Sequence, residues 1–146
     1  MLEIIENMDL IFIQEHWLYS CQSYIIRNTF PDYEVLSKCV DDRNPLKPYC
    51  MPRGMGGVAI LWKADLHRYI SVINDFECSR VAAITLQYEG YKLCIINAYM
   101  PSGNNTSKKN EFMETLEIIR SIISSHVSSY YVLLIGDMNI DVTKQA

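Results

Sequence analysis

Four polar residues stand where their types and spacing would let them share one reaction. Glu15 follows the apolar run Leu10–Ile13, one residue past Gln14. Tyr99 follows Leu93–Ile96 through Asn97-Ala98, and Asp137 and Asn139 follow Val132–Ile135 through Gly136. A buried strand fixes its backbone while the side chain beyond its end emerges at a rim, and open α/β sheets bind ligands beyond the carboxyl ends of their strands. Glu15 and Asp137 offer hard oxygen ligands. Magnesium binds through one or two such carboxylates, keeps several waters and completes its shell with a substrate phosphate, where it polarises a phosphoryl oxygen and steadies the leaving oxygen. In extended backbone Asn139 faces the same side as Asp137, so its amide is placed to donate to a phosphate oxygen or to position the attacking water. The Tyr99 phenol is a second donor for the same phosphate. The chemistry these residues suit is metal-assisted hydrolysis of a phosphate ester.

Each residue alone has a blander explanation. A glutamate after a strand is commonly a solvated loop residue, Asp137-Met138-Asn139 suits an Asx turn, and Tyr99 before Pro101 suits an aromatic packed in a turn. One shared site explains why all three apolar runs end in this way. Other arrangements drop out. Gly54-Met55-Gly56-Gly57 lacks the Gly-Lys-Ser/Thr of a phosphate loop and leads into a strand, no Ser/His/Asp or Cys/His set has supporting context, and Lys108-Lys109 reads as solvated.

The elements that must position these residues follow from periodicity. Residues 2–8 read as the end of a helix stopping near Asn7, and 9–14 as a short buried strand. A helix is expected over Tyr19–Asn28 and a strand over Tyr33–Val40. Residues 41–57, with Pro45, Pro48, Pro52 and the Gly54–Gly57 cluster, form a loop. Strand runs follow at Val58–Trp62, Tyr69–Ile73, Val81–Gln87 and Lys92–Ala98, the last two joined as a hairpin at Glu89-Gly90. Ser102–Asn105 is a loop. Phe112, Leu116, Ile119 and Ile123 lie on one face of a helix over Lys108–Ser125, with Thr106 or Ser107 as its cap, and Tyr130–Ile135 is a last buried strand. Antiparallel hairpins mixed with sheet-covering helices predict a layered α/β or α+β sandwich.

A length of 146 residues fits one domain, and the 49% apolar content can supply its core. A net charge of −4 argues against a simple nucleic-acid binder, which is ordinarily basic. It argues less against a nuclease, whose metal ions bring positive charge of their own. The odd set of five cysteines, Cys21, Cys39, Cys50, Cys78 and Cys94, fits no zinc spacing and predicts reduced thiols in a cytosolic or nuclear protein. The three scattered histidines, His16, His67 and His126, build no metal site. No apolar run spans a bilayer, and the start Met1-Leu2-Glu3 has no basic stretch followed by an apolar block, so an intracellular protein, nuclear or cytoplasmic and free of the membrane, is expected.

Four segments, Ile13-Gln14-Glu15-His16-Trp17, Gly56–Leu61, Ile96–Pro101 and Ile135–Asn139, occur in the order of the endonuclease/exonuclease/phosphatase superfamily, with its deoxyribonuclease-I-like fold. The chain most resembles the apurinic-type endonuclease domain of non-LTR (LINE-type) retrotransposons, over almost its whole length. The resemblance implies a four-layer α/β/β/α sandwich, phosphodiester hydrolysis of DNA, magnesium as the ion with manganese as the alternative, and a reverse transcriptase domain on the same polypeptide. By the same resemblance Glu15 is the metal-binding glutamate, Tyr99 contacts the reacting phosphate, and Asp137 and Asn139 orient the water and stabilise the transition state. Arg80, just before the run Val81–Gln87, resembles an arginine often found there and reads here as structural.

The departures from that pattern are equally specific. The superfamily's first strand, with its metal-side asparagine, has no counterpart here, and Asn7 sits on the wrong element to replace it. The Ser-Asp-His motif that supplies a catalytic histidine is also absent, and His16 and His126 fit neither its order nor its context. The expectation is a partial domain over 1–146, lacking the first and the C-terminal strands, marginally soluble, with open edges, and inactive alone. Two alternatives remain at this point: a hydrolase of the same fold acting on lipid or inositol phosphates, and a non-catalytic remnant or interaction domain.

Overall fold

Strand-forming runs come first in the chain, in short antiparallel steps, and the one long amphipathic helix comes just before the last strand. That order puts helices on the outer faces of two sheets. The computed structural model describes residues 8–47, 49, 52–103 and 105–139. Its elements are β1 (Leu10–Gln14), α1 (Tyr24–Thr29), β2 (Tyr33–Lys38), β3 (Val58–Lys63), β4 (Ile70–Ile73), β5 (Val81–Tyr88), β6 (Tyr91–Tyr99), α2 (Thr106–His126) and β7 (Tyr131–Asp137), with 3₁₀ turns at Ser20–Gln22 and Ala64–Tyr69. The helix end expected over residues 2–8 lies outside the described residues except for Met8, as do Pro48, Cys50 and Asn104.

The first sheet has the order β1-β3-β2, all antiparallel; the second has the order β4-β5-β6-β7, antiparallel except for the parallel β6–β7 pair. A parallel neighbour needs a long crossover, and α2 provides it. The central strand β3 shows how the layers form. Val58, Ile60 and Trp62 face the second sheet and pack with Ala82, Ile84 and Ile95. Ala59 and Leu61 face the other way, toward Ile26 of α1. On the far side Ala83, Cys94 and Ile96 pack against Ile119 and Ile122 of α2. The result is the expected four-layer α/β/β/α sandwich.

Several boundaries differ from the sequence reading, for local reasons. The single helix expected over Tyr19–Asn28 is broken, because Asp41 captures both the N–H and the hydroxyl of Ser20 (2.8 and 2.7 Å) and holds that turn to the loop. β2 stops at Lys38, where Asp42 Oδ2 accepts from the Cys39 N–H. Tyr69 belongs to a 3₁₀ turn and not to β4. The cap of α2 is Asn105 in place of Thr106 or Ser107: its side chain accepts from the Lys108 N–H at 2.8 Å, satisfying a donor the helix start leaves open. The hairpin turn at Glu89-Gly90 forms as expected, with both residues at positive φ.

The last strand, expected to be buried over Tyr130–Ile135, runs instead over Tyr131–Asp137 and is largely open: among the described residues β7 pairs only with β6, and Tyr131, Leu133 and Leu134 on it are exposed. Cys39, Cys78 and Cys94 are free thiols. No helix among the described residues is long and apolar enough to cross a membrane.

Candidate active site

The site is assembled at one rim by strands from both sheets. β6 and β7 run parallel, and their register sets Tyr99 beside Asp137 and Ala98 beside Gly136. Tyr99 packs between the two sheets and Ala98 packs on the helix side. Glu15 arrives from β1 of the other sheet, and the Tyr99 hydroxyl donates to its Oε1. All three side chains remain accessible: Glu15 and Asp137 are exposed and Tyr99 is half-buried.

A polar tie centred on a fully buried amide holds this meeting in place. Asn97, two residues before Tyr99, accepts from Gln14 Nε2 at 2.5 Å and donates to the carbonyls of Ile13 (3.0 Å) and Ala59 (2.9 Å). It joins β6 to β1 and β3 across the inter-sheet layer. A buried amide is stabilising only when its partners are in place, so the tie specifies where Glu15 sits relative to Tyr99.

Glycine makes the approach of β7 possible. A Cβ at Gly136 would stand 1.8 Å from the Ala98 carbonyl oxygen, and its φ is +135°. The residue before Asp137 must therefore lack a side chain.

The structure corrects the expectation for Asn139. Its backbone is left-handed, with φ +49°, so it does not continue the extended line of β7. The Asn139 N–H donates to Asp137 Oδ1 at 2.9 Å, the geometry of an Asx turn, and its side-chain amide donates to the Met100 carbonyl at 2.7 Å. The turn and the site thus coexist: the corner brings Asn139 back over β6, close enough to Tyr99 to help stabilise the ionised phenol.

Arg80, read from sequence as structural, lies in the site. Its guanidinium sits 5.2 Å from the Tyr99 ring centre, while its Nε pairs with Glu111 Oε1 of α2 at 2.6 Å. Lys108, expected to be merely solvated, binds the other oxygen of Glu111 at 2.8 Å. Burial alone would push the Glu111 carboxyl up, but the hydrogen bonds and charges of Lys108 and Arg80 outweigh it and lower it. The Tyr99 phenol is pushed above its ordinary 10.0, first by its hydrogen bond to Glu15, then by burial and the Glu15 charge, with Arg80 and Asn139 opposing. It stays protonated at neutral pH and remains a donor.

In the comparison with solved structures, the AP endonuclease LMAP from Leishmania major superposes with a TM-score of 0.67 at 14% identity, over 95% of this chain and 48% of that one. The chain has the deoxyribonuclease-I-like fold. NExo from Neisseria, a 3′ phosphatase bound to a product DNA hairpin, gives a TM-score of 0.61 at 16% identity over 95% of this chain and 52% of that one. TDP2 of D. rerio, complexed with a single-strand DNA product, gives 0.60 at 15% over 96% and 51%. The chain therefore spans about half the length of the solved structures it matches. No protein-family model and no curated protein matches the sequence.

The donor set at the rim fits a hard divalent ion. Glu15 and Asp137 are exposed oxygen donors carried by adjoining strand ends, and a magnesium ion needs only one or two carboxylates from protein. A separate group, Cys39, Asp41 and Asp42, also has ligand atoms close together. Its carboxylates are already committed: Asp41 accepts from Ser20 and from the Leu46 N–H, and Asp42 from the Cys39 N–H. That group closes a loop.

None of the three histidines reaches the rim site. His16 Nδ1 accepts from the Leu18 N–H at 3.1 Å, which places its proton on Nε2, facing the Lys38 carbonyl at 3.2 Å. His67 stacks on Trp62, and His126 bonds the Ile122 carbonyl. Asn97 and Arg80 went unassigned as working residues in the sequence. The available signal for Asn97 was a lone amide inside the apolar run 93–98; Arg80 had no local signal beyond its place before a strand.

Proposed function

We propose that this chain is a partial, metal-dependent phosphodiesterase domain over residues 1–146 whose substrate is DNA. The observation that carries the reading is the junction at the rim: Tyr99 donates to Glu15 across the two sheets, with Asp137 in register beside Tyr99 and Asn139 folded back over it. Glu15 would hold magnesium or manganese, with Asp137 beside it; when bound, the ion would polarise a phosphoryl oxygen. With Glu15 engaged by the ion, the Tyr99 hydroxyl would turn to donate to a phosphate oxygen, while Asp137 and Asn139 would orient the water and stabilise the transition state, whose negative charge builds on the phosphoryl oxygens. The DNA-bound states of the similar NExo and TDP2 structures support a nucleic-acid substrate over a lipid or inositol phosphate.

The segments Gln14–Leu18 and Gly56–Trp62 support a finer reading, an endonuclease of a LINE-type mobile element with a reverse transcriptase on the same polypeptide. The three histidines are all engaged away from the rim, so the general base of the reaction is not among them. We infer that the 146 residues alone hydrolyse DNA negligibly, since groups that act as a unit lose most of their effect when one is missing.

Two measurements test the proposal. Manganese added to the protein should broaden the NMR signals of the Glu15 and Asp137 carboxylates before any others, and Glu15→Gln should weaken that effect; no binding at either carboxylate favours a non-catalytic remnant. Supercoiled plasmid incubated with the protein and magnesium should stay supercoiled. Robust nicking that Asp137→Ala abolishes would overturn the inactivity, though not the assignment of the site.

A further inference from the structure

The stretch just past Glu15 is built in a way the hydrolytic site does not require. Trp17 takes a left-handed backbone, φ +60°, as does Glu15 at +55°. A bulky side chain is a genuine outlier in that region, and such strain gathers at functional sites. It is held there by backbone: the Trp17 N–H donates to the Gly56 carbonyl at 3.0 Å, and a Cβ at Gly54 would stand 1.9 Å from the Trp17 oxygen. The core does not demand the indole, which is 42% exposed. Over it lies the guanidinium of Arg53, 4.9 Å from the ring centre, and the Arg53 carbonyl is anchored by the hydroxyl of Tyr19, whose side chain is almost wholly buried. Arg80 and Arg43 spend their charge on Glu111 and Glu77, whereas Arg53 makes no ion pair among the described residues.

We propose that Trp17 and Arg53 form a stacking platform for an unpaired nucleobase of the strand whose phosphate lies at the Glu15–Tyr99 junction. The inference rests on the nucleic-acid reading above and specifies the form of substrate. An exposed aromatic face beside a phosphate-binding cation is the combination that holds single-stranded nucleic acid, because every base has a π-face and every nucleotide a charge. Bases inside an intact duplex are stacked on their neighbours and cannot use it, so the platform selects single strands, frayed ends or extruded nucleotides. Arg53 caps the ring and offers its remaining N–H groups to the adjoining phosphate.

Intrinsic fluorescence tests this on the full chain, because the protein has only two tryptophans and Trp62 is buried. Oligothymidylate titrated into the protein with millimolar magnesium should quench the exposed, red-shifted emission saturably, while anisotropy of a labelled copy reads binding independently. Trp17→Ala should remove the quenching and weaken binding on the order of tenfold, with Trp17→Phe retaining most of the affinity. An oligomer of abasic deoxyribose phosphates should give no quenching. Arg53→Gln should weaken binding and flatten its salt dependence. If the oligonucleotide binds by anisotropy while emission and the Trp17→Ala affinity stay unchanged, the platform is wrong and the nucleic-acid reading stands. If no oligonucleotide binds by either signal, both fall.

Discussion

At the scale of single residues, Tyr99 and Glu15 hold the most information about the candidate site, because they belong to different sheets yet meet through one hydrogen bond. The phenol is raised mainly by donating to the Glu15 carboxylate, and the Glu15 charge adds to this. Glu15→Gln should therefore lower the Tyr99 pKa toward its ordinary value of 10.0, read by NMR of labelled tyrosine ring carbons across alkaline pH. A Tyr99 titration unmoved by the substitution would show that the two side chains do not meet in solution. The sign for stability follows from the same shift. The folded state binds this proton more tightly than the unfolded chain does, so the contribution is whole below the ordinary tyrosine pKa and is lost as pH rises through the folded value. Glu15, Tyr99, Asp137 and Asn139 could be picked out of the sequence because each closes an apolar run, and that signal is local. Arg80 and Trp17 could not. Their roles depend on which side chain lies across from them, and the partners Tyr99 and Arg53 are 19 and 36 positions away in the chain.

Elements carry the same lesson at the next scale. Buried strands and the long helix could be read from periodicity because their apolar faces repeat. Their ends depended on side chains that reach from elsewhere, such as Asp41 onto Ser20 and Asn105 onto the start of α2. Gly136, which the sequence showed only as the residue after a buried run, lies inside β7. In the structure it is the sole residue type that lets β7 lie against β6, since any side chain would strike the Ala98 carbonyl. Gly136→Ala should destabilise the protein by about 3 kcal/mol or more, a value typical of backbone strain combined with a lost strand pairing. Chemical denaturation would measure it, and hydrogen exchange should show the loss concentrated in β7 and the end of β6. A change within about 0.5 kcal/mol, the range of ordinary surface substitutions, would mean that the β6–β7 contact is looser than described here.

Across the whole molecule, the two sheets are held in mutual register by close apolar packing and by polar ties centred on the buried Asn97 amide. Asn97→Leu keeps the volume but leaves the Gln14 amide and the Ile13 and Ala59 carbonyls without their partner. Each buried polar group stranded in this way costs about 1–3 kcal/mol. The expected outcome is a loss of about 2–5 kcal/mol, together with a Tyr99 pKa that falls back as Glu15 drifts from it. Loss of stability with an unchanged Tyr99 titration would assign Asn97 to packing alone. Nothing in the linear order of the chain announces this tie. It joins Gln14 to a residue 83 positions later, and Tyr99 joins Glu15 across 84. Closing so long a loop is slow and entropically costly, whereas the β5–β6 hairpin closes over the two residues Glu89-Gly90. The expected order of refolding is therefore the β5–β6 hairpin first and the junction late. If Glu15 and Asp137 hold the ion as proposed, a population that already looks native by circular dichroism should, for a time, take up no metal, because the two carboxylates have yet to meet.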